Sequence, residues 1–370
     1  METSYTRGVV TKQAHVGIPD GLFEEEYGRS GFFGGYAHIY RKKPPVNWLR
    51  IEGPLKPRSF QLKNLHKEEL SSDYLSNRKE ILYNQDVRLH FCKLEQSMTY
   101  YFRNGDGDDL YFVHEGAGEL YTDFGCLSYE AGDYILIPKG IVYLFTPSSK
   151  SEMFLIESAT ELKLPEKGIL GHHALFDPSV ITLPEIKEVP EARESDGSFK
   201  LIIKRNQELT SVYYPFCPIT TAGWKGNCFV WKINVRDIRP IHSERYHLPP
   251  SAHTTFVGGN FVVCSFLPRP LEVGDPTALK VPFYHSNIDY DEVLFYHSGD
   301  FFSRSDIRPG MLTLHPQGIH HGPHEKAIER SKALQRTDEI AIMVDTKNSL
   351  KVSSHAQKVE NPDYSQSWRH

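Results

Sequence analysis

The sequence has little or none of what defines several broad classes of protein. Its 370 residues include five cysteines, none spaced as C-x-x-C, so we expect free thiols in a reducing compartment. The longest apolar runs have the length of a strand, which argues against a transmembrane helix, and no basic-then-apolar signal peptide opens the chain. A net charge of -5 is small and argues against nucleic acid or an anionic membrane as partner. Together these absences predict a cytoplasmic globular protein.

What is present is a mainly β pattern in a chain long enough for two domains. Short strands separated by turn residues recur from 87 to 156 and again from 199 to 345. The exceptions are Leu22–Tyr27, predicted as a short helical turn, and residues 324–337, predicted as a solvated helix. We predict an N-terminal β domain with an irregular start, a charged linker, a second β domain and a polar, mobile tail, covering residues 1–180, 181–198, 199–347 and 348–370.

One stretch of the second domain carries a two-part motif. Its first part reads H-x-N-x4-E-x6-G and its second part reads G-x5-P-x-G-x2-H, which are the two halves of the cupin signature. Each half alone is weak, but both in order and about one hairpin apart are a strong signal. The motif residues are His285, Asn287, Glu292 and Gly299, followed by Gly310, Pro316, Gly318 and His321.

The motif makes chemical sense as a metal site. Two imidazoles and one carboxylate on one face of a metal leave the opposite face open, which suits non-haem Fe(II) oxygenases. Neighbours in a strand point to opposite faces, so only one of His320 and His321 can face the metal, and the spacing from Gly318 selects His321. Asn287 stands where many cupins have another histidine, and we interpret it as a hydrogen-bonding group behind the ligands.

The first domain repeats part of this motif without its ligands. Gly132, Pro138 and Gly140 match the second half, but Tyr143 stands where the metal histidine is expected. Residues 104–108 occupy the place of the upstream ligands and read Asn-Gly-Asp-Gly-Asp. We therefore predict a bicupin, with two jelly-roll barrels of which only the C-terminal one binds metal.

The C-terminal half resembles the homogentisate 1,2-dioxygenase family. The segments that carry the resemblance are Trp224–Asn227, His247–Ser251, Tyr284–Asn287 with Glu292, and Leu314–Pro323. The resemblance implies a bicupin enzyme that uses Fe(II) and O2 to convert homogentisate to maleylacetoacetate in tyrosine and phenylalanine catabolism. It also implies a hexamer, so we expect a homo-oligomer whose other partners are a small aromatic substrate and O2.

The resemblance also assigns roles to individual residues. His285, Glu292 and His321 match the iron ligands, His247 matches the active-site base, and His315 matches a histidine of the substrate pocket. A phenol must lose a proton to bind iron well, and a neutral imidazole can accept that proton. His253, on the same loop as His247, is the alternative base.

The substrate pocket departs from the familiar members of the family. Phe283 and Phe301 stand where those members have tyrosines, while Tyr284 and Asn287 complete the predicted substrate-binding set. The ligands stay intact, but two phenolic hydroxyl groups are lost. We consider as replacements Arg245, Tyr246 and His297.

Two other functions fit the same motif. One is the same chemistry on another hydroxylated aromatic, similar to gentisate or hydroquinone. The other is a metal-binding cupin without turnover, which would need neither His247 nor His315 beside the metal ligands. Only an enzyme would consume O2 with aromatic substrates, so O2 uptake separates the enzyme from the binding protein.

Overall fold

A computed structural model describes residues 5–31, 34–66, 73–166, 168–302, 306–323 and 325–368. The first eleven strands, β1–β11, are Phe23–Gly28, Tyr36–Arg41, Arg58–Gln61, Arg78–Tyr83, Val87–Leu94, Tyr101–Asn104, Asp108–Glu115, Ala117–Thr122, Gly125–Glu130, Asp133–Ile137 and Val142–Pro147. Strands β12–β22 are Ser151–Ser158, Phe199–Arg205, Glu208–Tyr214, Trp231–Asn234, Thr254–Val257, Phe261–Phe266, Tyr284–Asn287, Asp291–Ser298, Met311–His315, Ile340–Thr346 and Lys351–Val352. Two α-helices, α1 and α2, are Glu325–Ala333 and Ser354–Gln357.

The strands form two barrels, which confirms the predicted bicupin fold. The N-terminal barrel consists of a seven-stranded sheet in the order β15-β10-β7-β12-β5-β4-β22 and a six-stranded sheet in the order β14-β13-β6-β11-β8-β9. The C-terminal barrel consists of a six-stranded sheet in the order β16-β17-β21-β19-β20-β3 and a three-stranded sheet in the order β18-β1-β2.

The interior of the N-terminal barrel is filled by aromatic side chains. The hydroxyl of Tyr143 donates a hydrogen bond to Asp109 Oδ2 at 2.9 Å and lies 2.8 Å from the hydroxyl of Tyr111. Tyr74, Phe102 and their apolar neighbours close the same core. The position of the missing metal histidine is thus occupied by a buried, hydrogen-bonded phenol, as a structural role for this barrel requires.

A shared apolar core joins the two barrels. Phe154 of the N-terminal barrel stacks on Phe295 of the C-terminal barrel, with 4.8 Å between ring centroids and 12° between planes. The hydroxyl of Tyr134 lies 2.9 Å from Ser265 Oγ across the same interface. Residues of β19 therefore alternate, because Val293 and Phe295 enter this core while Glu292 and Leu294 face the interior of their own barrel.

Strand pairing crosses the predicted boundaries between domains. Strands β1, β2 and β3, from the N-terminal end, complete the sheets of the C-terminal barrel, whereas β13, β14 and β15 pair within the N-terminal barrel. The division at 181–198 stays a prediction about folding units, since the barrels share their strands.

Two local predictions are wrong. Leu22–Tyr27 is not a helical turn, because Phe23–Gly28 is a strand that pairs in parallel with β18. The tail is not mobile over its described part, which runs to residue 368: Tyr364 and Trp368 are buried, and Lys351–Val352 pairs with β4. The predicted helix at 324–337 is confirmed by α1, with residue 324 lying outside the described residues. In the part of the chain that the structure describes, no helix is long and apolar enough to cross a lipid bilayer.

Candidate metal centre and substrate pocket

The three predicted metal ligands come together inside the C-terminal barrel. Each offers one nitrogen or oxygen atom, and these atoms lie within 4.8 Å of one another. Glu292 Oε2 is 3.6 Å from His285 Nε2 and 3.6 Å from His321 Nε2. Two imidazoles and a carboxylate that converge in this way fit a divalent metal such as iron or zinc.

Local backbone pairing places these side chains. His285 lies on β18 and exchanges two backbone hydrogen bonds of 3.1 Å with His321, so the two rings approach to 4.1 Å between centroids. Glu292 is the second residue of β19. Gly299, with φ of 94°, ends the same hairpin arm in the left-handed region. His320 points the other way, toward the carboxylate of Glu25, so the structure brings His321 and not His320 to the centre.

His315 holds Glu292 from behind. Its Nδ1 lies 2.7 Å from Glu292 Oε1, and its Nε2 lies 3.2 Å from the hydroxyl of Tyr364 in the C-terminal tail. His315 is fully buried and does not border the pocket. The structure therefore places it as a support of the carboxylate, in contrast to its predicted position in the substrate pocket.

The surroundings of Glu292 keep its carboxyl ionised. Burial by itself would raise the pKa of Glu292, but the imidazoles of His321, His285 and His315 hold that pKa well below the usual range. An ionised carboxylate is the form that binds a metal.

His247 lies beside the metal ligands in the same pocket. Its ring is 4.1 Å from the ring of Phe283, which in turn is 5.1 Å from the ring of His285. Burial lowers the pKa of His247, and the carboxylate of Glu272, 3.8 Å from Nδ1, opposes that shift. Its Nε2 is buried and has no hydrogen-bond partner among the described residues. A neutral imidazole with an uncommitted nitrogen can accept a proton from a bound phenol.

The alternative base, His253, lines the same pocket from the turn Pro250–His253. Burial, with the nearby charge of Arg269, lowers the pKa of His253 to about 3. Its conjugate acid is therefore far more acidic than that of an ordinary imidazole, which makes His253 the weaker base.

The pocket is a cavity of about 110 Å³ with the metal ligands at one end. Phe283 and Phe302 border it, whereas Phe301 packs on Tyr296 with 4.9 Å between centroids. Tyr284 points away into an apolar cluster with Val46, Tyr364 and Trp368. The structure thus brings Phe283 to the cavity and does not bring Tyr284 there.

Asn287 is buried on β18, and its Oδ1 has no hydrogen-bond partner among the described residues. It does not border the cavity. The three replacements considered for the missing hydroxyl groups also lie elsewhere: Arg245 and Tyr246 are exposed, and His297 Nδ1 lies 3.0 Å from His114 Nδ1.

Sequence reasoning missed Arg269, Glu272 and Tyr364. Arg269 and Glu339 border the cavity, Glu272 lies next to His247, and Tyr364 contacts His315. None belongs to the two-part motif. The one signal at Arg269 is the pair of prolines around it, Pro268 and Pro270, which fix its loop.

Fold and site together define a two-barrel cupin with a candidate His–Glu–His metal centre. Two family models match the chain: homogentisate 1,2-dioxygenase N-terminal at residues 57–235 and homogentisate 1,2-dioxygenase C-terminal at residues 248–370. The chain belongs to the homogentisate 1,2-dioxygenase family.

Individual relatives differ in how much of their length the chain matches. A Saccharolobus solfataricus protein, named as an inferred dioxygenase, is 33% identical over 98% of both chains. The homogentisate 1,2-dioxygenases of Bradyrhizobium diazoefficiens and Nitrobacter hamburgensis are each 26% identical over 76% of this chain. The match covers 65% of either enzyme, so the chain spans about two thirds of their length.

Solved structures of cupins are more distant. The Ylba protein of Escherichia coli aligns with a TM-score of 0.38 at 9% identity, covering 81% of this chain and 95% of that one. Oxalate decarboxylase of Bacillus subtilis aligns with a TM-score of 0.36 at 9% identity, covering 84% and 81%.

Proposed function

We propose that the chain is a mononuclear Fe(II) dioxygenase that opens the ring of a para-dihydroxylated aromatic, with homogentisate as the first substrate to test. The observation that carries the proposal is the convergence of His285, Glu292 and His321 within 4.8 Å at the end of a cavity that also contains His247. Membership in a dioxygenase family supports the same chemistry.

The residues of the chain divide the work. His285, Glu292 and His321 would hold iron, which when bound supplies the redox chemistry with O2. His247 Nε2 accepts the proton of a ring hydroxyl group, and Glu272 beside Nδ1 stabilises the imidazolium that results. Phe283, in contact with both imidazoles, presents an apolar face to the ring and keeps water away.

A binding protein without turnover is a weaker account of the same site. Holding a metal requires the three ligands and their support from His315, but it requires no buried base at the mouth of the centre. The position of His247, 4.1 Å from Phe283 and within the same cavity as His285, favours catalysis.

The test is an oxygen-electrode screen of the Fe(II)-loaded chain against homogentisate, gentisate and hydroquinone. The proposal expects O2 uptake in equal amount to the aromatic consumed, with homogentisate giving maleylacetoacetate. Uptake with gentisate alone would keep the chemistry and reject homogentisate as substrate. No uptake with any of the three, by protein that holds one iron per chain, would reject the enzymatic proposal.

A further inference from the structure

A buried arginine lies at the far end of the substrate cavity. Arg269 is 6% exposed and borders the same cavity as His285 and Glu292. Among the residues that the structure describes, no carboxylate lies within ion-pair distance of its guanidinium, and Nη1 has no hydrogen-bond partner. Arginine is almost never buried without a partner, so this one calls for an explanation.

Strand register separates the arginine from the metal centre. Glu292, Leu294 and Tyr296 all face the cavity from β19, and the Cα atoms of Glu292 and Tyr296 are about 13 Å apart at about 3.3 Å per residue. Tyr296 and Phe266 both pair with Ala341, and Arg269 follows Phe266 by three residues. The cavity therefore has a metal end at Glu292 and a basic end near Tyr296.

Two carboxylates act on Arg269 from a longer distance. Glu339 borders the same end of the cavity, and Glu272 lies near His247 with its Oε2 accepting a hydrogen bond from the backbone N–H of Val281. Their charges partly offset the cost of burying the guanidinium. Neither approaches closely enough to occupy its donors, so the planar fork remains available to an anion in the cavity.

We propose that Arg269 binds a carboxylate on the substrate and so restricts the enzyme to aromatic rings that carry a short acidic side chain. A ring placed with its hydroxyl group at the metal end directs its para-oriented substituents along the cavity toward the arginine. The ionic contact does the work of the two hydroxyl groups that Phe283 and Phe301 cannot supply. Hydroquinone, without an acidic group, leaves the guanidinium buried and unpaired, and is a poor substrate. The position of the ring rests on the proposed function, whereas the anion site at Arg269 does not.

The test compares two ligands of matched shape that cannot be cleaved, phenylacetate and phenylacetamide. Their binding to the full chain without metal, measured by titration calorimetry, reports on the anion site alone. The wild-type chain is expected to prefer phenylacetate. Arg269→Met is expected to weaken phenylacetate about ten- to hundredfold and leave phenylacetamide unchanged, as the loss of a charged hydrogen bond predicts.

Variants control for folding and for general charge. Methionine has a volume similar to that of arginine, and replacing a buried charge by an apolar side chain is often tolerated. Arg239→Met removes an exposed arginine outside the cavity and should leave both ligands unaffected. Arg269→Lys keeps the charge and should recover part of the preference.

The outcomes separate this inference from the proposed function. A preference for phenylacetate that disappears in Arg269→Met supports the anion site even if no dihydroxyaromatic is cleaved. Equal binding of phenylacetate by wild type and Arg269→Met overturns it even if ring cleavage is found. In iron-loaded protein, Arg269→Met should raise KM for homogentisate by the same factor and leave kcat/KM for methylhydroquinone unchanged; a loss on both substrates would mean that Arg269 only maintains the pocket.

Discussion

At the residue scale, the account depends on which of two adjacent histidines faces the metal. His321→Ala should lose tightly bound metal and all activity, because it removes one of three protein ligands. Metal content by mass spectrometry after dialysis measures this directly. His320→Ala is the matched control and should keep its metal, since His320 turns toward Glu25. Metal loss in His320→Ala with retention in His321→Ala would mean that the register is wrong by one residue.

The role of His247 leads to a second expectation at this scale. His247→Gln should retain metal but turn over about 10²–10⁴-fold more slowly, since glutamine cannot take the proton of a ring hydroxyl group. Single-turnover rates with iron-loaded protein provide the measurement. A normal rate in His247→Gln together with a strong defect in His253→Gln would transfer the base to His253.

The pH profile gives an independent measure of the same residue. Burial lowers the pKa of His247 below the ordinary value of about 6.5, so the imidazole stays neutral and able to accept a proton down to a lower pH. Activity should therefore fall only as the pH decreases through that lowered pKa, and His247→Gln should lack this acid limb. An acid limb centred above pH 7, or one retained in His247→Gln, would contradict the assignment.

At the scale of elements, the C-terminal tail supports the metal centre through a relay of hydrogen bonds. Tyr364 contacts His315 Nε2, whose Nδ1 in turn lies 2.7 Å from Glu292. Tyr364→Phe should weaken metal binding about tenfold, because partners behind a ligand usually contribute 10- to 100-fold. A competition titration with a metal chelator measures the change. Tyr213→Phe, at a side chain that is 57% exposed, is the control, and an equal affinity in both variants would remove the tail from the account.

The elements also show where sequence reasoning succeeds and where it fails. The metal motif could be predicted because its glycines and prolines fix turns within a few residues, so the spacing reports geometry. The strand Phe23–Gly28 could not, because its run of three glutamates is poor in β propensity. Those glutamates find partners distant in sequence: Glu24 with His15 and Tyr40, and Glu25 with Arg41 and His320. Tertiary ion pairs, which no local pattern reveals, stabilise the strand.

At the scale of the whole molecule, only one of the two barrels should bind metal. The interior of the N-terminal barrel is closed by Tyr74, Tyr111 and Tyr143. Two further groups of histidine and glutamate in the described residues already have ionic partners: His15 with Glu24 and Glu26, and Glu115 with Lys63. Fully loaded protein should contain about one equivalent of metal per chain, and His285→Ala about none. Two tightly bound equivalents would contradict this, and retention of one by His285→Ala would relocate the centre.

The bicupin fold could be predicted from the repeated turn motif at Gly132–Gly140 and Gly310–Gly318. The exchange of strands between the barrels could not, because pairing partners such as Glu26 and His285 are far apart along the chain. The same limit hid Arg269, since its importance lies in the cavity it borders and not in its neighbours in sequence. Sequence motifs therefore identified the metal ligands, and the structure was needed to describe the rest of the pocket.

The central claim is that His285, Glu292 and His321 hold a metal that drives dioxygenation of an aromatic ring. The most direct measurement is mass spectrometry of the product formed by the Fe(II)-loaded chain from homogentisate under ¹⁸O2. The account predicts a ring-opened product that contains both oxygen atoms of one O2 molecule, and no such product from His321→Ala. A product with one labelled oxygen atom and an intact ring, or no labelled product from protein with full iron, would contradict it.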